Sequence, residues 1–388
     1  MKQSRSCPVC ESMVATLLHY NELAPIDMLD MSYSLSECNN CNFIFADKLP
    51  SNSQYLFYYE KLSKYDTQVT VSDVDRYRTE KAVSFLTERV SKDATILDVG
   101  CGFGVMLSAL RDAGYTNLSG IDPAPHSGLQ ASEQFKFNEI SQGTIEGINK
   151  AANLSEISLI CLMCVLEHLP DIKSNLSNLA KQLQYGTKLM VEVPALDLYD
   201  GTGGEPFGEL SIEHIQYFTA TSMTNFLNSL GFKIIDAELF AIPHLKSGSL
   251  FVLAELSTEI QKIAPDRHTK MRDYLRNSEL RWQAALKNIP DELFVLYGAG
   301  SHSARLVPKL TEKQKNNLVA VIDGNVNLHG KKFGGWEVEP PEAIKKYSQA
   351  LELNPKYKPA QENLISILTY FSPNNEIKNP IVIVQSSN

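Results

Sequence analysis

Four cysteines stand in two Cys-x-x-Cys pairs within the first 41 residues, Cys7 with Cys10 and Cys38 with Cys41. Each pair offers two thiolates on one turn, and two such turns supply the four soft ligands of a tetrahedral zinc site. Pro8 in the first pair and Asn39-Asn40 in the second are turn formers that suit the knuckles. A reducing cytosol disfavours two disulfides at the same positions. With sulfur at all four positions none is left for water, so this zinc is expected to hold structure and not to catalyse. Cys101, Cys161 and Cys164 lie in apolar strand or turn contexts and read as buried thiols.

A second chemistry lies in Ile96-Leu-Asp98-Val-Gly100-Cys-Gly102-Phe-Gly104, which runs from a strand straight into a helix. Glycines let the backbone turn sharply and approach a ligand closely, and the helix start offers free amides. Asp122 ends the next strand in Gly120-Ile-Asp122-Pro. A carboxylate there can accept both ribose hydroxyls of an adenosyl ligand.

These residues need a scaffold, and the hydrophobic pattern provides one. Strands are predicted at Ala94–Val99, Leu118–Ile121, Ile157–Cys164, Lys188–Val193, Lys233–Leu239 and Leu250–Ala254, with a helix at Val105–Ala113 and helical patterns between the later strands. Strand alternating with helix at this spacing means an α/β fold with a parallel sheet. A second α/β unit starts at Leu293–Tyr297, turns at Gly298-Ala-Gly300 and continues to Leu318–Ile322. The divisions expected are a zinc module (1–48), a tyrosine-rich helical lid or linker (49–90), the core (91–255), a helical linker (256–292) and a C-terminal Rossmann-like domain (293–388). The basic residues of the 256–290 stretch read as a solvated helix face. Residues 343–368 read as a helical hairpin inserted in the last domain. The chain stops just after a strand at 381–384, which suggests a cut from a longer protein.

Asp98-Val-Gly-Cys-Gly-Phe-Gly104 closely resembles the first motif of class I S-adenosylmethionine-dependent methyltransferases, and Gly120-Ile-Asp122 their second. The resemblance implies a Rossmann-like core that binds S-adenosylmethionine. Asp98, Gly100, Gly102 and Gly104 would face the methionine moiety and Asp122 would hold the ribose. Gly143 would flank adenine, and Cys164 would line the methionine pocket. Val165-Leu-Glu-His168-Leu is similar to the family's Leu-Glu-His-Leu segment. Over most of the chain the order of parts resembles sugar C-methyltransferases of deoxysugar pathways. These carry an N-terminal four-cysteine zinc module, a methyltransferase core and a C-terminal Rossmann-like domain. Ser211-Ile-Glu213-His214-Ile-Gln-Tyr217-Phe218 resembles their Glu-His-x-x-Tyr-Phe segment, and Ser247-Gly-Ser249-Leu their Gly-Ser-Leu. The implied partner is a small-molecule acceptor, a nucleotide-linked sugar or glycan precursor, methylated at carbon or oxygen.

Methyl transfer from a sulfonium is an in-line displacement, so the acceptor must be aligned and lose a proton to a general base. His214 is the first candidate, with Glu213 orienting it or acting as base itself, and His168 is the second. Tyr217 or Tyr59 could donate to a developing oxyanion. The Gly298–Ser303 loop could cradle a diphosphate, with Arg305 nearby and Asp323 ending the next strand. Two other functions remain open at this point, a zinc-containing RNA methyltransferase and a binding module without turnover.

Composition bounds these readings. The 388 residues, 43% hydrophobic and 21% charged, suit a soluble globular chain of two or three domains. A formal charge of −9 disfavours general binding to nucleic acid or anionic membrane. The polar N-terminus shows no signal-like apolar run, and a cytoplasmic location is expected.

Overall fold

The computed structural model describes residues 2–62, 71–148, 152–203, 205–243, 247–259, 261, 265–291 and 293–343. The helical hairpin expected at 343–368, save its first residue, and the strand at 381–384 lie outside the described residues. The side chain of Tyr59 lies outside them as well.

The N-terminal sheet is antiparallel. Its strands β1 (Ala15–Asn21), β2 (Tyr33–Cys38) and β3 (Ile44–Asp47) follow one another along the chain. The central sheet contains β4 (Thr95–Val99), β5 (Asn117–Asp122), β6 (Ile140–Gln142), β7 (Leu159–Met163) and β8 (Lys188–Pro194), all parallel. A two-residue strand, β9 (Gln216–Tyr217), leaves this core and pairs antiparallel with β3, setting Ile44 opposite Tyr217 and Phe45 opposite Gln216. Strands β10 (Phe232–Ala241) and β11 (Gly248–Leu256) complete the central sheet, whose order is β10-β11-β8-β7-β4-β5-β6.

The inner strands β4, β7 and β8 are almost continuously buried, as strands covered on both faces must be. The all-parallel expectation fails at β10 and β11, which run antiparallel to each other, with β11 also antiparallel to β8. The cause is local: only residues 242–247 join the two strands, too few for the crossover that parallel neighbours need.

Helices α1 (Asn52–Lys61) and α2 (Asp73–Thr87) precede the core, each with a serine cap, Ser51 and Ser72. Within the core come α3 (Val105–Asp112), α4 (Ser127–Phe135), α5 (Ile172–Ala180) and α6 (Ala220–Ser229). Helix α7 (Lys270–Leu286) buries Met271, Tyr274, Ser278 and Trp282. Of its basic residues, Arg272 pairs with Glu37, and Arg281 donates to the carbonyls of Gly201 and Gly203 at 3.1 and 2.8 Å. The face read as merely solvated therefore also ties down the loop at Gly201 and Gly203. No described helix is long and apolar enough to cross a membrane.

A third sheet has the order β12 (Phe294–Tyr297), β13 (Leu318–Ile322), β15 (Trp336–Glu339), β14 (Lys332–Phe333). The first three are parallel and β14 turns back on β15. Helices α8 (Ser301–Leu306) and α9 (Glu312–Asn317) join β12 to β13. This unit shares one apolar core with the N-terminal sheet, in which Tyr33, Leu35, Phe294, Leu296 and Phe333 are buried together.

Candidate functional site

The two cysteine knuckles have the same internal geometry. The amides of Glu11 and Asn42 each donate to the carbonyl of the cysteine four residues earlier, both at 2.9 Å. Both residues are left-handed, with φ of 63° and 60°. The amides of Cys7 and Cys38 donate to Ser12 and Phe43, again at 2.9 Å. The two turns bring Cys7 Sγ to 3.7 Å from Cys41 Sγ and Cys10 Sγ to 3.5 Å from Cys38 Sγ, and all four sulfurs lie within 4.8 Å of one another. A tetrahedron with zinc–sulfur bonds of about 2.3 Å has edges of about 3.8 Å, so the donor set fits zinc.

Arg5, just before the first knuckle, ties the module to the core. Its guanidinium donates to the carbonyls of Ala46 at 2.9 Å and Pro170 at 3.0 Å and to Gln216 Oε1 at 3.2 Å. The module therefore grips both the 166–170 turn and the strand after His214.

In the glycine loop all three glycines have left-handed backbones, with φ of 77°, 53° and 85° at Gly100, Gly102 and Gly104. Their surroundings differ. A Cβ on Gly100 would fall 2.6 Å from Val165 Cγ2, whereas one on Gly102 would meet nothing within 4 Å. Gly100 is needed for packing, and Gly102 leaves open the space a ligand would approach through. Asp122 binds the loop directly: its Oδ2 accepts from the Gly102 amide at 2.8 Å, and its Oδ1 accepts from the Ala124 amide and the Ser127 hydroxyl, both at 2.9 Å. The Gly143 amide donates to the Asp122 carbonyl at 3.0 Å, which brings the turn after β6 beside it.

Asp98 is 1% exposed and its Oδ1 has no hydrogen-bond partner. Burial, with Asp122 adding its charge, pushes Asp98 up to about 7. Cys164 takes a left-handed φ of 54° where β7 ends, and burial pushes its thiol well up. Two residues that the sequence did not single out meet it here. Arg78 of α2 contacts Cys164 Sγ and donates from Nε to Glu192 Oε1 at 2.6 Å. Glu192 was visible as a lone charge inside the apolar strand β8, but Arg78 looks like any other helix-surface arginine.

The Glu-His segments converge next to these residues. The 3-10 turn Leu166–His168 follows β7, and the amide of Ile215 donates to the Glu167 carbonyl at 2.8 Å. His168 Nδ1 lies 3.1 Å from the Glu213 carbonyl, which can only accept, so Nδ1 carries the proton and Nε2 is free to accept. His168 Nε2 is 4.0 Å from Glu167 Oε1, and the His168 and His214 rings meet edge-on with centroids 5.0 Å apart. Ser211 Oγ accepts from the amides of Glu213 and His214 and fixes their turn. Burial is the largest cause that pushes His214 down to about 3, and the Arg78 charge adds to it. Glu213 accepts from the Tyr58 hydroxyl at 3.0 Å.

Tyr217 is placed differently from an oxyanion donor. Its hydroxyl donates to the His214 carbonyl at 2.9 Å, lies 3.1 Å from the Tyr33 hydroxyl and is buried, so it braces the segment from behind. The C-terminal loop repeats the stitch of the first. The Ala299 amide donates to Asp323 Oδ2 at 2.6 Å and the Gly298 amide to the Ile322 carbonyl at 2.7 Å. Arg305, read as lying near a diphosphate, is buried instead and donates to Asn21 Oδ1 and to the Leu210 carbonyl.

Residues 73–237 match the model of a family described as a methyltransferase domain. A tRNA U34 carboxymethyltransferase of Pasteurella multocida is 28% identical over 184 residues, which cover 46% of this chain and 57% of that protein. A mitochondrial ubiquinone biosynthesis O-methyltransferase of Dictyostelium discoideum is 24% identical over 124 residues, 27% of this chain and 39% of that protein. The chain thus spans less than two thirds of the length of these curated relatives. Among solved structures, the 1,6-didemethyltoxoflavin-N1-methyltransferase of Burkholderia thailandensis, with bound 1,6-didemethyltoxoflavin and S-adenosylhomocysteine, aligns with a TM-score of 0.43 at 15% identity. That alignment covers 60% of this chain and 99% of that one.

Proposed function

We propose that this chain, whose residues 73–237 match a methyltransferase-domain family, is a class I S-adenosylmethionine-dependent methyltransferase and methylates a small oxygen-bearing acceptor, a nucleotide-linked sugar or related glycan precursor. One observation carries the reading. The glycine loop, open at Gly102, adjoins through the Gly100–Val165 contact the turn that holds Glu167 and His168. Donor pocket and proton-transfer groups are therefore neighbours. S-adenosylmethionine supplies the electrophilic methyl group. Gly100, Gly102 and Gly104 shape its cradle, Asp122 receives the ribose, and Gly143 flanks the base. Asp98 faces the donor's cationic end with its unpartnered oxygen, and Cys164 closes the methionine side. The acceptor proton passes to the group formed by Glu213, His168 and His214, while Tyr217 holds their segment in place. Zinc on Cys7, Cys10, Cys38 and Cys41 stays structural.

Two expectations test the donor site. Asp122→Ala removes three hydrogen-bond acceptances as well as the ribose contact, so calorimetry should find S-adenosylhomocysteine bound more weakly by about 1.5–3 kcal/mol. Unchanged affinity would remove Asp122 from the site. Asp98 supplies a pH dependence. Its raised value means that the folded chain keeps this carboxyl protonated below about 7, and stability falls as pH rises from the ordinary carboxylate range to that value. A ligand ammonium group favours the ionised form, so S-adenosylhomocysteine affinity should rise as pH increases through about 7. Asp98→Asn should flatten that slope, and a slope equal to that of the unaltered chain would count against Asp98.

The acceptor is tested by incubating the full chain with S-adenosylmethionine and a panel of nucleotide-sugars and following the mass gain of one methyl group. The relatives named for tRNA U34 make RNA the competing acceptor, which the −9 charge disfavours. Salt-sensitive retention and methylation of tRNA, with every nucleotide-sugar inert, would reverse the assignment.

A further inference from the structure

We propose that Glu167, His168 and His214 form a second metal site, for a divalent transition-metal ion with positions left open to an acceptor oxygen. One ligand atom from each of the three lies within 4.8 Å of the others. Glu167 is the residue that calls for an ion. Its carboxylate is 1% exposed and neither oxygen accepts a hydrogen bond of ordinary geometry, the weakly donating Cys164 thiol being the neighbour within reach. A buried carboxylate in that condition is costly, and a cation relieves the cost. The nearby guanidinium of Arg78 is already engaged by Glu192, Cys164 and Asp75.

The two imidazoles are prepared as ligands. His168 donates a hydrogen bond from Nδ1 to the Glu213 carbonyl, which leaves Nε2 as the ligand atom, 4.0 Å from Glu167 Oε1. Metal-binding histidines are commonly oriented by such an outer hydrogen bond. The His214 side chain is half-buried, and its turn is fixed by the Ser211 hydroxyl, which accepts from the His214 amide. The hydrogen bond from the Ile215 amide to the Glu167 carbonyl staples the two ligand-bearing segments together. Closing these separations onto an ion with bonds of about 2.1 Å needs side-chain movements of only about 1 Å.

The donor set identifies the ion class. Two imidazole nitrogens and one carboxylate suit zinc, cobalt, iron or manganese and not the all-oxygen shells of magnesium or calcium. Three protein ligands leave coordination positions free, in contrast to the closed four-cysteine site. An acceptor hydroxyl bound there would lie beside the donor loop and ionise more readily, and a bound carbonyl would lose a proton more readily from its neighbouring carbon. Glu213, outside the triad, is then left to take the proton. This role in catalysis rests on the methyltransferase reading above; the metal site itself does not.

The test therefore uses neither donor nor acceptor. The full chain is dialysed against a chelator, its retained zinc is counted, and it is titrated with cobalt(II). The expected result is one further cobalt per chain, with ligand-field absorption and without the thiolate-to-cobalt charge-transfer band of a cysteine site. Glu167→Gln and, separately, His168→Ala should each weaken that binding by about tenfold or more, with S-adenosylhomocysteine affinity and thermal melting as checks on folding. Should either variant misfold, His214→Asn supplies the same reading. No cobalt beyond the thiolate site, or folded variants that bind it as tightly as the unaltered chain, overturns the proposal. A failed methyl-transfer assay beside a filled cobalt site would instead overturn the acceptor reading alone.

Discussion

Replacing Cys38 with serine is expected to abolish the zinc binding proposed for the four cysteines and, with it, both the ordered N-terminal sheet and methyl transfer. Structural zinc supplies about 10–16 kcal/mol in small metal-folded modules, more than the stability of most domains. Here the loss should reach the reaction, although no thiolate lies in the donor pocket. Strand β3, which begins six residues after Cys38, pairs with β9, and β9 begins two residues after His214. Arg5 reinforces the link through Pro170 and Gln216. The seven-stranded sheet does not contain the module, so S-adenosylhomocysteine binding should survive largely intact. Elemental analysis, calorimetry and a turnover assay on the same preparation separate these effects. A zinc-free Cys38→Ser chain with undiminished turnover would show that the module does not hold the reacting segment.

His214→Ala should lower turnover by about 10²–10⁴-fold, the usual range for losing a proton-transfer group or its direct support. Donor affinity should hardly change, because the glycine loop, Asp98 and Asp122 lie on other segments. Glu213→Gln is the informative companion. If it is inactive while His214→Ala keeps most of its rate, the carboxylate takes the proton and the imidazole only positions it. If both variants turn over normally, the 211–218 segment is not where the acceptor reacts, and the placement of the active site fails.

The parts of this chain that were legible from sequence are those whose chemistry is set over a few residues. Two Cys-x-x-Cys turns and a glycine loop between a strand and a helix specify their own geometry, and the structure gathers the four sulfurs and opens the loop at Gly102. The Glu-His segments were equally visible as residue types. Their long-range partners were not. Tyr217 looked like a donor to substrate because nothing nearby reveals Tyr33, 184 residues away, against which it is buried. Arg305 looked like a phosphate ligand until the fold brought Asn21 to it from 284 residues away. Arg78 carries no local signal at all; Glu192, its partner 114 residues on, makes it part of the site. The antiparallel end of the central sheet was readable from the short 242–247 connection, but alternation of strand and helix upstream outweighed it.

The pairing of β3 with β9 also has a consequence for how the chain is made. Arg5 and Gln216 are 211 residues apart, and closing a loop of that length costs about 5 kcal/mol in chain entropy. At about 5–20 residues per second, β3 leaves the ribosome on the order of ten seconds or more before its partner exists. Through that interval the outer edge of β3 offers unsatisfied backbone groups to any other strand it meets. Zinc captured early on the two knuckles would hold the three finished strands in register while the edge waits. Metal scarcity during synthesis should therefore show up first as aggregated nascent chains, before any finished protein loses its ion.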